Sequence, residues 1–162
     1  MMLTKKHPGI YMDDSISNDL ISADGIIFDC DGVLIDITKS YDLTIDKTVK
    51  YILENFSQIT DSIEIDSKII DGFKSSGGFN DEVDLTYVSI LSLVAAKKLN
   101  KSQHEFIFDV ISNANSSGIS SVEKHLEKLV DISDIKNKLS YPGTHHDNLL
   151  YQIFDQIFYG PE

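Results

Sequence analysis

The sequence contains no arginine: its 14 basic residues are all lysine, set against 26 acidic residues for a formal net charge of -12. That balance makes the chain a poor ligand for nucleic-acid backbones or anionic membranes, which are bound through clustered Lys and Arg. Any phosphate it handles has to be held by lysine, backbone N–H groups or a metal ion, not by a bidentate guanidinium fork. Cys30 is the one cysteine, which excludes an internal disulfide framework and fits a reducing cytoplasm. No stretch approaches the ~20 apolar residues of a membrane span, and the opening MMLTKKHPGIYMDDS has no apolar signal region. What is there is a chain of 162 residues, 41% hydrophobic, enough for one packed domain and too apolar for wholesale disorder.

Residues 1–20, with Pro8, Gly9 and a polar run, read as a loose lead-in. Ile26-Ile27-Phe28 is a short apolar run entered through Asp24-Gly25 and closed by Gly32, the pattern of a strand over about 25–30 buried on both faces of a parallel sheet. Downstream the signals are helical. Tyr41, Ile45, Val49, Ile52, Leu53 and Phe56 recur at helical spacing, and Ile63, Ile69, Ile70 and Phe73 mark a second, shorter helix. VDLTYVSILSLVAAKKL, 83–99, reads as a buried helix ending in the basic residues its dipole favours. Ser102 with Glu105, and Ser120 with Glu123, have capping-box spacing. A last amphipathic helix starts near Thr144 and carries Leu149, Leu150, Ile153, Phe154, Ile157 and Phe158. No second convincing strand follows the first, although a central strand needs neighbours to pair its backbone groups.

The expected strand runs into FDCDGVLID, where Asp29 and Asp31 stand one residue apart before Gly32. Carboxylates at the carboxyl end of a parallel strand lie where open α/β sheets place their ligands. One carboxylate can attack phosphorus to form an acyl phosphate; the second can protonate the leaving oxygen and then deprotonate water. The same D-x-D-G also suits a plain acidic turn.

IIFDCDGVLID resembles the first motif of the haloacid dehalogenase superfamily, and DGVLIDITKSYDLTIDKTVKYIL with FKSSGGFNDEVDLTYV is similar to a phosphatase-like subgroup with a helical cap. The resemblance implies an α/β, Rossmann-like core with a helical cap, of which this chain holds the mostly α-helical N-terminal portion. On that reading 21–36 is the first core strand and catalytic loop, 37–158 the helical cap, and the rest of the core is absent. It implies Asp29 as nucleophile and Asp31 as general acid and base, with magnesium held by the Asp29 carboxylate and the Asp31 carbonyl. It further implies substrate contacts from Gly32, Lys74, Gly77, Gly78 and Asn80, although a Gly-Gly turn followed by a capping Asn or Asp is the simpler account of the last three. The family's later motifs, a strand-end Thr or Ser, a Lys and an acidic pair, have no counterpart here.

Two functions remain. One is a magnesium-dependent phosphohydrolase acting on a small phosphorylated metabolite, complete only with a separately encoded core half or through self-association. The other is a non-catalytic helical module that binds a partner protein through its apolar surface. His145-His146-Asp147 has metal-ligand residue types, but adjacent helix positions diverge by about 100°, so a solvated helix start capped by Thr144 is expected there. Cys30, between the aspartates, is expected to pack on the opposite strand face.

Overall fold

The computed structural model describes residues 3–30, 32–145 and 148–160. The chain divides into two compact units, Met1–Asp36 and Ile37–Glu162.

In the first unit, β1 (Leu3–His7) and β2 (Ile10–Asp13) form an antiparallel hairpin in which Leu3 faces Asp13 and Lys5 faces Tyr11. Gly9, at φ 80°, takes the left-handed conformation that a tight reversal needs and that glycine adopts without steric cost. After a 3-10 turn (Asp14–Ile16), α1 spans Ser17–Ile21. Asp14 ties these pieces together, accepting from Thr4 Oγ1 at 2.7 Å and Lys6 Nζ at 2.5 Å. Those two donors, Lys6 foremost, hold its carboxyl below the usual carboxylate range. The described part of the expected lead-in, from residue 3 on, thus forms a hairpin, a 3-10 turn and a short helix. The strand expected over 25–30 is not formed: Ile26, Ile27 and Phe28 are exposed at 74%, 100% and 61%, in no regular element. A three-residue apolar run extends readily, but it becomes a strand only where another strand supplies its ladder. Among the described residues the only sheet is the hairpin itself.

The second unit is a helical bundle of α2 (Thr38–Ser57), α3 (Ser67–Ser75), α4 (Glu82–Lys98), α5 (Gln103–Asn113), α6 (Ile119–Glu127), α7 (Ser133–Leu139) and α8 (Leu149–Tyr159). Its axis is α4, every residue of which is buried from Leu85 to Ala96. A helix apolar on all sides can only be a central one, and α4 packs against α2, α5, α6, α7 and α8. Its buried hydroxyls are satisfied within the helix: Thr86, Ser89 and Ser92 donate to the carbonyls of Glu82, Leu85 and Val88 at 2.6 to 2.8 Å. Asp81 caps its start by accepting from Val83 N, and Lys97 and Lys98 lie on the negative end of its dipole.

Around this post, α2 buries Ile45, Val49, Ile52 and Leu53, and α3 buries Ile69, Ile70 and Phe73. The link between α2 and α3 is held from two sides. Asp46, 9% exposed, accepts from Ile65 N at 2.9 Å and Lys50 Nζ at 2.7 Å. Gln103 accepts from Ile63 N and donates to the Asp61 carbonyl. Ile63 therefore belongs to a clipped loop and not to α3.

Two helix starts depart from the sequence reading. Ser102 caps α5 as its box spacing implies, accepting from Glu105 N, but Ser120 lies inside α6, whose N-cap is Gly118. The cause is a backbone contact: a Cβ on Gly118 would stand 2.5 Å from the Gly78 carbonyl oxygen, so the two glycines set where α6 begins. The last helix is capped by Asn148, not Thr144. Asn148 is buried, accepts from Leu150 N and Tyr151 N, and donates to the Ser140 carbonyl at 2.7 Å.

Candidate functional site

The acidic loop lies in the first unit. Asp29 Oδ1 accepts from Cys30 N at 2.8 Å, and a tight turn follows in which Leu34 N and Ile35 N both donate to the Cys30 carbonyl, at 2.9 and 3.0 Å. Gly32 N closes it onto the Ile35 carbonyl at 2.8 Å, and Gly32 itself sits at φ 74°, where any Cβ strains the backbone. Asp29 is solvent-exposed and its second oxygen has no described partner. Asp31 lies outside the described residues. Cys30 is exposed, so it does not pack as a small hydrophobe: without a ladder there is no opposite sheet face for it to enter. Val33, Leu34 and Ile35 are exposed as well. As a general nucleophile the Asp29 carboxylate is accessible and held through one oxygen only.

A divalent cation is not fitted by these residues alone. Among the described residues no group of three or more His, Cys, Asp or Glu is placed to hold a metal ion, and hard cations need several oxygen ligands. Asp29 supplies one carboxylate.

The other four candidates lie in the second unit, Lys74 in the last turn of α3 and Gly77, Gly78 and Asn80 between α3 and α4. Lys74 is in an ion pair with Glu82 at 3.4 Å. Gly77, at φ 81°, forms the turn that ends α3, with its N–H on the Lys74 carbonyl. Gly78 is pressed against Asn115 and Gly118, where a Cβ would come within 2.5 Å of backbone atoms. Asn80 is exposed and lines a cleft of about 360 Å³ with Tyr41, Glu82, Tyr151, Asp155 and Phe158. Of the four, Asn80 itself lines the cleft and Lys74 reaches its rim through Glu82, while Gly77 and Gly78 shape the backbone.

The sequence reading overlooked that cleft. His145 Nε2 is 3.1 Å from Asp155 Oδ2, and the His145 ring lies 4.6 Å from that of Tyr151. Tyr41 stacks on Phe158 with centroids 4.6 Å apart. His146 and Asp147 lie outside the described residues. The available signal was the aromatic character of α8, which periodicity alone assigns to core. Deeper in the bundle, the Tyr141 hydroxyl donates to Asp84 and that of Tyr87 to Glu123. Burial above all pushes both phenols up, and it also raises the Asp84 carboxyl against the opposing effect of the Tyr141 bond.

No protein-family model, no curated protein and no solved structure matches this chain. No helix is long and apolar enough, among the described residues, to cross a membrane.

Proposed function

We propose that this chain supplies the nucleophilic loop and helical cap of a phosphohydrolase of the haloacid dehalogenase type, acting in the cytoplasm on a small phosphorylated metabolite as part of a composite enzyme. One observation carries the reading. An exposed apolar segment, Ile26–Phe28, in no regular element, makes no described hydrogen bond and leads directly into an exposed carboxylate and a tight glycine turn. Such a segment is suited to joining the edge of a sheet in another chain, where main-chain bonds supply affinity. There it becomes the α/β core strand of the proposal and places Asp29 at the strand's carboxyl end.

In the assembled site, an Asp29 oxygen attacks phosphorus as the ester oxygen departs with a proton from Asp31, leaving an aspartyl phosphate. Water, deprotonated by Asp31, then attacks phosphorus and releases inorganic phosphate and the free Asp29 carboxylate. Magnesium belongs to the proposal with the Asp29 carboxylate and the Asp31 carbonyl as ligands from this chain and the remaining ligands on the complementary chain.

The test is phosphate release by the native assembly recovered on a tagged copy of this chain, with magnesium and a panel of small phosphate esters. Asp29→Asn is expected to abolish turnover with the assembly intact. Asp31→Asn is expected to slow it by about 10² to 10⁴-fold, the usual contribution of general acid and base catalysis. Unchanged activity in Asp29→Asn would falsify the catalytic assignment. The exposed apolar residues on either side of Asp29 then favour the second reading, a module that docks on its partner without chemistry.

A further inference from the structure

We infer that the cleft lined by Tyr41 of α2, the Asn80–Val83 turn and α8 binds a small organic cation, an amine or quaternary ammonium whose apolar part lies against the aromatic rings. The inference is independent of the phosphohydrolase reading, because every residue it uses belongs to the helical unit. The cleft, at about 360 Å³, falls in the size range of small-molecule sites. Its walls are rings: the stacked Tyr41 and Phe158, and Tyr151.

Three carboxylates share the lining, and each is anchored through one oxygen. Asp81 Oδ1 accepts from Val83 N at 2.7 Å, Glu82 Oε1 faces Lys74 at 3.4 Å, and Asp155 Oδ2 faces His145 at 3.1 Å. No bond is described for the second oxygen of any of the three, so they are fixed in place with acceptor capacity to spare. Ring faces attract cations through their quadrupole, and the carboxylates add charge of the matching sign. With Lys74 facing Glu82 and His145 facing Asp155, the lining still holds more carboxylate than cation, which opposes an anion, and a neutral apolar molecule makes no use of it. The combination of ring faces and half-used carboxylates singles out a cation with an apolar body.

The test is an amide NMR titration of the full chain with choline and, separately, with 3,3-dimethyl-1-butanol, which has the same shape without the charge. Choline is expected to give saturable shifts at residues 80–83 and along α8, with affinity at least about fivefold above the neutral analogue. Asp155→Asn, a nearly isosteric change at a partly exposed position, is expected to weaken choline by about threefold or more while leaving the rest of the spectrum in place. Phe158→Leu gives a second, independent loss, its fold checked in the same spectra. Equal affinity for the two probes, no saturation in the tens of millimolar, or an Asp155→Asn variant that binds choline as tightly as the parent overturns the inference.

Discussion

Replacing Asp46 by alanine tests how the α2–α3 link is held. The carboxylate is almost fully buried, and its two bonds are unequal in consequence. Lys50 Nζ sits on a side chain still 39% exposed, so losing that i,i+4 pair costs about 0.3–0.5 kcal/mol. Ile65 is 2% exposed, and its N–H has no described alternative acceptor. Leaving a buried donor unsatisfied costs about 1–3 kcal/mol. The sum is about 2 kcal/mol, which for a unit of this size lowers the melting temperature by roughly 8 °C. Asp46→Asn keeps an acceptor oxygen and is expected to lose about half as much, while Lys50→Ala should cost only the exposed pair. Thermal and urea melts give the ranking, and hydrogen exchange at the Ile65 amide should accelerate in Asp46→Ala. If Asp46→Ala melts with the parent, or if Lys50→Ala is equally harmful, the assignment of the clip to Ile65 is refuted.

Thr48 is fully buried, and its hydroxyl has no hydrogen-bond partner among the described residues. Thr48→Val should therefore stabilise the bundle by about 1 kcal/mol, measured by denaturant titration, and a loss of stability would show that the hydroxyl is bonded after all. Asp84, raised chiefly by burial, has a folded-state pKa above its ordinary 3.8. Its contribution to stability is thus fully present below that value and lost as pH rises through the folded-state value. Asp84→Asn, which keeps an acceptor for Tyr141, should raise the melting temperature at pH 7 and lose that advantage as pH falls through the carboxylate range; an advantage independent of pH would reject the electrostatic cause. Gly78→Ala should destabilise more than Gly77→Ala, because its Cβ meets backbone at 2.5 Å whereas that of Gly77 meets open space and costs only the left-handed strain, about 1–2 kcal/mol. The reverse order in thermal melts would contradict the Gly78–Gly118 contact.

How much of this could be read from the residues depends on how local the cause is. Helix periodicity and end chemistry are local, so α2, α4, the Ser102 cap and the apolar face of α8 are legible in the sequence. The start of α6 is not, because Gly118 is placed by Gly78, 40 positions away. The short α7, with only Ile135 and Leu139 buried, offers too few apolar positions to show a period. The Pro8-Gly9 pair did carry a hairpin signal, but the flanking LTKKH and IYMD alternate too weakly to declare strands. Ile26–Phe28 reads as a strand from composition, yet pairing is a property of two segments and the second is not written beside the first. The acidic pair that the proposal uses is visible in the sequence as a residue pattern. The cleft is not, since Tyr41, Glu82 and Asp155 meet only through packing.

The burial of α4 on every side also governs how the chain is made. During synthesis its apolar surface leaves the ribosome after α2 but before α5 to α8, and the end of α8 follows some 60 residues later. At about 5–20 residues per second, that central rod waits roughly 3–12 s for its last covering helix. For that interval the nascent chain presents a half-covered apolar helix whose hydroxyls are turned onto its own backbone, transiently exposed surface of the kind that aggregates, so slow translation of the distal codons would divert protein into aggregates.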